Sequence, residues 1–236
     1  MDPLVLERLN RERRHRRAVI LLTDLKDGRN RLFCEGEIVA CAVLSNTIET
    51  AFRTGKSCVV DVYSCTYFVN VHVPPTRLVV IGAVHISQAL ASIAKIAGYD
   101  VEIIDPRTAF ATPDRFPDVP LHTEWPENVL KNQPLDAFTA VAALTHDPKI
   151  DDLPLMAALD AGCFYIGALG SSKTHVKRVE RLRALGATSD QVRRIHAPIG
   201  LDIGAASPAQ IAVAVLAQVI KAFHLRGSDR ETEKAA

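Results

Sequence analysis

Arg77-Leu78-Val79-Val80-Ile81-Gly82-Ala83-Val84-His85-Ile86-Ser87-Gln88-Ala89-Leu90, followed by Val101-Glu102-Ile103-Ile104-Asp105, decides the fold of this chain. The apolar run up to Ile81 breaks at one glycine. Apolar residues then recur at helical spacing through Ile86, Leu90, Ile93, Ala94 and Ala97, which predicts strand, tight turn and helix. Gly98 stops that helix. A second apolar run closes on Asp105, about 20 residues beyond Gly82, the distance at which the first β-α-β unit of a doubly wound nucleotide-binding sheet places its acid.

Downstream, the same alternation continues. The 15 or so residues of Pro106–Pro120 exceed the usual connection length, and such loops are often functional. A short helix is expected to open at Thr123 or Trp125, with Pro126 in its first turn. Ala137–Leu144 is the next strand, running into Thr145-His146-Asp147, and Asp151–Ala161 is a helix stopped by Gly162. Cys163–Leu169 is a buried strand that meets Gly170-Ser171-Ser172-Lys173-Thr174, the start of a strongly basic helix. Thr188-Ser189-Asp190-Gln191 is a capping box. Pro198–Gly204 is a stretch of flexible backbone with two glycines, and Ser207-Pro208 opens a last helix to about His224.

Upstream, residues 7–17 concentrate Arg8, Arg11, Arg13, Arg14, Arg16 and Arg17, and Ala18–Leu22 is a short buried strand. A helix near Ser45–Arg53 ends at Gly55. Pro74-Pro75 interrupts the chain where neither residue can join a strand ladder or continue a helix. The expected architecture is therefore α/β: residues 1–75 as a small N-terminal α+β unit, 76–226 as a doubly wound parallel sheet that binds a cofactor, and 227–236 as a polar tail.

Composition narrows the function. The 236 residues are 48% hydrophobic, ample for a core, and carry a net charge of +1, which removes any global argument for nucleic acid. No apolar run approaches the roughly 18 residues of a spanning helix and no signal core opens the chain, so a cytoplasmic protein without a membrane association is expected. The five cysteines, Cys34, Cys41, Cys58, Cys65 and Cys163, include no CxxC pair and are expected to be reduced thiols. No metal spacing such as H-E-x-x-H and no nucleophile elbow occurs, so neither metal ligands nor catalytic residues are assigned.

In an open parallel sheet, ligands lie at the carboxyl ends of the strands. Gly82, Ala83 and His85 in one turn and Gly170, Ser171, Ser172 and Lys173 in another place backbone N–H groups, hydroxyls and an ammonium where an anion would sit. His146 in one loop, and Gly200 and Asp202 in another, add polar side chains and flexible backbone. Asp105 is either a ribose-hydroxyl acceptor or an acid capping a strand end in solvent. The Gly82 turn lacks the second and third glycines of the dinucleotide pattern, Val84 and Ser87 standing there, and a Cβ at 84 hinders approach of a pyrophosphate.

These stretches carry a resemblance. Gly82-Ala83-Val84-His85-Ile86, Asp105-Pro106-Arg107, Arg115-Phe116-Pro117, Thr145-His146-Asp147, Tyr165–Ser171, and Pro198–Ala205 followed by Ser207-Pro208 look like the XdhC/CoxI family of accessory factors for xanthine dehydrogenase and aerobic carbon monoxide dehydrogenase. The resemblance covers roughly residues 76–224. It implies a Rossmann-like domain that binds the molybdenum cofactor, as molybdopterin or its dinucleotide form. It further implies that the chain assists sulfuration of that cofactor with a cysteine desulfurase and its delivery to an apo molybdenum hydroxylase, and allows a homodimer. Ser171, Ser172 and Lys173 would then bind phosphate, Gly82 and His85 would pack on the ligand, Asp105 would accept from it, and His146 and Asp202 would assist. The family's commoner loop has Gly at the position of Val84, and its longer members carry a Gly-Gly-Cys-Val-Glu segment whose nearest counterpart here is Cys34-Glu35. The competing readings are an NAD(P)-dependent oxidoreductase and a non-catalytic nucleotide-binding regulatory module, which fold alone does not separate.

Overall fold

In a computed structural model, which describes residues 2–226, the chain divides into two compact units, one holding the residues up to Pro74 together with Arg226 and the other Pro75–Leu225. The tail expected from 227 lies outside the described residues. The first unit is an antiparallel four-stranded sheet in the order β2-β1-β4-β3, with β1 Val19–Asp24, β2 Asn30–Cys34, β3 Cys58–Val62 and β4 Cys65–His72. Helix α1, Pro3–Arg14, turns Leu9 onto Val19, Leu21 and Leu32, while its arginines line the polar side. Helix α2, Ala42–Thr54, buries Leu44, Ile48, Ala51 and Phe52 and ends at Gly55 in the left-handed region. Every strand of this sheet finds its partners inside the unit.

The second unit is a six-stranded sheet in the order β10-β9-β8-β5-β6-β7, parallel at every pairing. Its strands are β5 Arg77–Ile81, β6 Asp100–Ile104, β7 Leu121–His122, β8 Thr139–Ala143, β9 Tyr165–Ala168 and β10 Ile195–His196. Alternate residues of β5 and β8 serve opposite faces, as the two-residue period of a strand requires. Leu78, Val80, Ala140 and Ala142 pack with Leu90, Ala94, Ala212, Val215 and Val219 from helices α3, His85–Ile96, and α8, Pro208–Leu225. Val79, Ile81, Val141 and Ala143 meet helices α4, Pro126–Asn132, α5, Pro148–Asp160, α6, Ser172–Ala184, and α7, Ser189–Arg193, through Val129, Leu155, Leu182 and Val192. This is the doubly wound α/β architecture, and the strand order reverses between β5 and β8.

Two sequence expectations change. Helix α5 opens at Pro148 rather than Asp151, because Asp147 caps it by accepting the Lys149 N–H at 2.9 Å and Pro148 takes the first helical position. Helix α8 has 18 residues at a mean hydropathy of 1.4, long and apolar enough by length and composition to cross a membrane, contrary to the expectation of no such run. Its buried Ala212, Val215 and Val219 pack against α3 and the sheet, while Val213, Ile220 and Leu225 are exposed.

Candidate functional site

The Gly82 turn is closed from within. Gly82 N–H donates to Ile104 O at 2.8 Å, Ala83 N–H to Asp105 Oδ2 at 2.7 Å, and Val84 N–H to Ser87 Oγ at 3.4 Å. Ala83 O accepts from Arg115 Nη1 at 2.9 Å, and Ser87 Oγ donates to Gly82 O at 2.5 Å. The N–H groups of three successive residues of the turn thus already have partners, which leaves fewer donors for a pyrophosphate irrespective of the Cβ at 84.

Asp105 is fully buried, neither a solvent-facing cap nor a free ribose acceptor. Its Oδ1 accepts from Arg107 N–H and Nε–H, both at 2.9 Å, and its Oδ2 from Arg107 Nη2 at 2.8 Å as well as from Ala83. Burial alone would raise its carboxyl, but the Arg107 guanidinium and the two backbone N–H groups outweigh that and hold it below the usual range. The long loop after β6 is pinned over the turn: Arg115 also reaches Phe110 O at 2.6 Å and Gln88 Oε1 at 3.3 Å, and Arg107 lies 4.9 Å over the Phe110 ring. The loop's unusual length therefore builds a cover for the turn.

The open space lies one strand over. A cavity of about 290 Å³ sits at the carboxyl ends of β8 and β9, between the first turns of α5 and the first half of α6. It is lined by His146, Pro148, Asp151, Lys173, Thr174, Lys177, Arg178 and Arg181. The basic residues meet there because Lys173, Lys177 and Arg181 recur every fourth residue, one face of a helix, and Arg178 follows Thr174 by four. His146, at φ 63°, lies where a Cβ on Gly170 would stand 3.6 Å from its Nδ1, so the loops after β8 and β9 meet at these two residues. Partial burial, then the Arg178 charge, keep the His146 imidazole below its ordinary range and hence neutral at pH 7.

Beneath the cavity lie two buried charges. Arg178 is 2% exposed and donates Nη2 to Leu169 O at 2.8 Å, while its Nε and Nη1 are covered and have no partner among the described residues. A covered, unpartnered polar group costs about 1–3 kcal/mol, more when charged, and burial accordingly lowers the Arg178 pKa. Asp151 accepts the Thr145 hydroxyl at 2.6 Å on Oδ1, and its Oδ2 has no hydrogen-bond partner among the described residues. Burial pushes its carboxyl up to about 6, against the Thr145 bond and the Arg178 charge. Arg181 is different: Asp152 chelates it at 2.6 and 3.0 Å. Lys173 and Lys177 make no ion pair among the described residues.

Of the residues singled out in the sequence, the structure brings His146 and Lys173 into this cavity. Ser171 caps α6 by accepting the Thr174 N–H at 3.3 Å, and Ser172 and Gly170 stand at the same helix start without lining the cavity. Gly200 donates its N–H to Gln218 Oε1 at 2.8 Å, and a Cβ there would meet Ala214 at 3.1 Å, so its smallness serves the approach of α8. His85 and Asp202 are exposed away from the cavity, and Gly82, Ala83 and Asp105 form the closed turn. Sequence reading missed Asp151, Lys177 and Arg178; the four-residue spacing along α6 was the available signal. In the first unit, Cys34 Sγ lies 3.6 Å from Arg8 Nη2, which also pairs with Glu37 at 2.6 Å, and burial raises the thiol.

Residues 78–219 match the family model described as the XdhC Rossmann domain, more than half of the chain. The chain is 34% identical over 146 residues to the molybdenum cofactor insertion chaperone PaoD of Escherichia coli, covering 62% of this chain and 40% of that protein. It is 31% identical over 149 residues to a Bacillus subtilis protein named as a probable xanthine dehydrogenase subunit, covering 63% and 43%. It is likewise 31% identical over 159 residues to the uncharacterized protein YqeB of Escherichia coli, covering 65% and 28%. The matched segments thus span less than half the length of these curated relatives. A crystal structure of a xanthine dehydrogenase from Bacillus halodurans shares the fold, with a TM-score of 0.62 at 22% identity over 94% of this chain and 64% of that one. The resemblance seen in the Gly82, Thr145, Tyr165 and Pro198 stretches is thus a family membership: the chain belongs to the XdhC family, whose Rossmann domain its parallel sheet forms.

Proposed function

We propose that this chain is an accessory factor that binds the molybdenum cofactor and assists its insertion into a molybdenum hydroxylase of the xanthine dehydrogenase type. The observation that carries the reading is the cationic cavity at the carboxyl ends of β8 and β9 in a member of the XdhC family. A pterin cofactor bearing phosphate is a polyanion, and Lys173, Lys177 and the buried Arg178 fit it by charge. The name of PaoD, an insertion chaperone for this cofactor, supports the same role. When bound, the cofactor supplies the molybdenum centre on which the recipient's chemistry runs; the residues of this chain hold its anionic end and keep it from bulk solvent. Sulfuration of the cofactor before transfer, with a cysteine desulfurase as sulfur source, belongs to the same proposal.

The closed Gly82 turn weighs against the nicotinamide alternative, since its N–H groups are occupied by Ile104, Asp105 and Ser87. Purification from cells that make molybdenum cofactor, followed by mass spectrometry, tests the reading. A pterin species at near-stoichiometric occupancy, transferable to an apo hydroxylase with gain of activity, is expected. Micromolar binding of NAD or NADP with reduction of a small substrate, and no pterin, overturns it.

A further inference from the structure

Arg178 and Asp151 are more than the lining of a cleft. Each is at most 2% exposed, each carries a polar atom without a hydrogen-bond partner among the described residues, and they attract one another without forming an ion pair. Above them Lys173 and Lys177 project from successive turns of α6 with no carboxylate of their own, whereas Arg181 is neutralised by Asp152. Three positive charges without an ion pair among the described residues thus converge on one space, with Asp151 the opposing charge that lines it. That excess matches a group with more than one negative charge. The volume, about 290 Å³, falls just short of the roughly 300–1,000 Å³ usual for small-molecule sites, which suits one end of a ligand rather than a whole pterin cofactor.

We propose that the cavity between α5 and α6 is the receptor for the phosphate end of the ligand, a phosphate monoester or diphosphate, with Lys173 and Lys177 contacting its oxygens, Arg178 supplying positive field from beneath, and Asp151 opposing it. The identification of that phosphate as the cofactor's rests on the maturation reading; the anion chemistry does not. Asp151 moderates the grip, as a carrier that must release its cargo requires. Lys177, one turn beyond Lys173, is part of the same receptor and not a remote surface charge.

Titration calorimetry of the full chain with inorganic phosphate and inorganic pyrophosphate at low salt tests this. Saturable pyrophosphate binding is expected, with phosphate weaker. Lys173→Gln and Lys177→Gln should each weaken pyrophosphate about tenfold or more, the worth of one charge-assisted contact. Asp151→Asn should tighten it several-fold, a gain that damage to the fold does not produce. Lys221→Gln, an exposed charge on α8, should change nothing. Arg178→Gln is expected to abolish binding; because that side chain is buried, the two lysine variants carry the test if it fails to fold. Absence of saturable binding, unchanged affinity in both lysine variants, or weakening by Asp151→Asn overturns the proposal. Pyrophosphate binding through these residues by a protein that never carries a pterin keeps this inference and sinks the maturation reading. Wild-type pterin retention by the Lys173→Gln, Lys177→Gln double variant does the reverse.

Discussion

Asp105, directly after β6, and Asp151, in the first turn of α5, are both buried, yet their surroundings move their titration in opposite directions. Asp105 is held low by Arg107 and backbone donors, so it contributes stability above the pKa of an unfolded aspartate, and that contribution is lost as the pH falls through its lower native value. Asp105→Ala removes the carboxylate from a buried pair and leaves Ala83 N–H unsatisfied. The expected cost is about 3 kcal/mol, at the lower end for such pairs because Arg107 is partly exposed. Urea denaturation at pH 7 measures it, and the gap to wild type should narrow below about pH 4. Asp151 carries the opposite sign. Its native pKa of about 6 against 3.8 unfolded means that the folded state keeps a proton the unfolded chain releases. Stability is therefore lost as the pH rises from about 4 to about 6, by about 3 kcal/mol in all. Asp151→Asn, which can still accept from Thr145, should be more stable than wild type at pH 7.5 by up to that amount and no more stable at pH 4. Equal gains at both pH values would show that the carboxylate's charge is not the cause.

At the scale of elements, the joint between β5 and β8 decides what the molecule can bind. Gly82, at φ +115°, lies so close to the loop after β8 that a Cβ there would stand 2.8 Å from Thr145 Cγ2 and 3.3 Å from Thr145 N. Gly82→Ala is expected to cost about 2 kcal/mol or more, from backbone strain plus the collision. Thr145→Ser removes the colliding methyl and keeps the hydroxyl, so in the Gly82→Ala background it should recover part of the loss; a double-mutant cycle by chemical denaturation reads the coupling. The same closure governs dinucleotide binding. A glycine at position 84 restores the second glycine of the dinucleotide pattern, but it does not free the N–H groups of Gly82 and Ala83 from Ile104 and Asp105. Val84→Gly is therefore expected to leave NAD and NADP without measurable affinity in calorimetry, and micromolar binding would place the obstruction at the Val84 side chain. The β-α-β unit was legible from Arg77–Asp105 because strand and helix periods are local properties. That its turn is closed was not, because Asp105, held by Arg107, reaches back more than 20 residues to the Ala83 N–H, and Arg115 from the following loop takes Ala83 O.

For the whole molecule, the two sheets share no strand pairing among the described residues, and both cores of the parallel sheet are made of residues between Leu78 and Val219. A chain spanning Pro75–Leu225 is expected to melt cooperatively and to bind pyrophosphate as the full chain does. Non-cooperative melting in calorimetry would show that the large unit depends on the first 74 residues. The sequence by itself determined the four central strands of the parallel sheet, the helices that alternate with them, and the family, but not the two-residue edge strands β7 and β10, because alternation, helical spacing, caps and glycine stops act within a few residues of one another. It also placed Lys173 at a helix start beside a strand end. Only the tertiary structure decided which strand end stays open. Asp105, separated from Ala83 by more than 20 residues, turns inward to its N–H group, while Asp151 on α5 and Arg178 on α6 are left beneath a cavity without a full set of partners. A sequence lists which charges are present; whether a charge is satisfied by its neighbours or left to meet a ligand depends on distances across the fold.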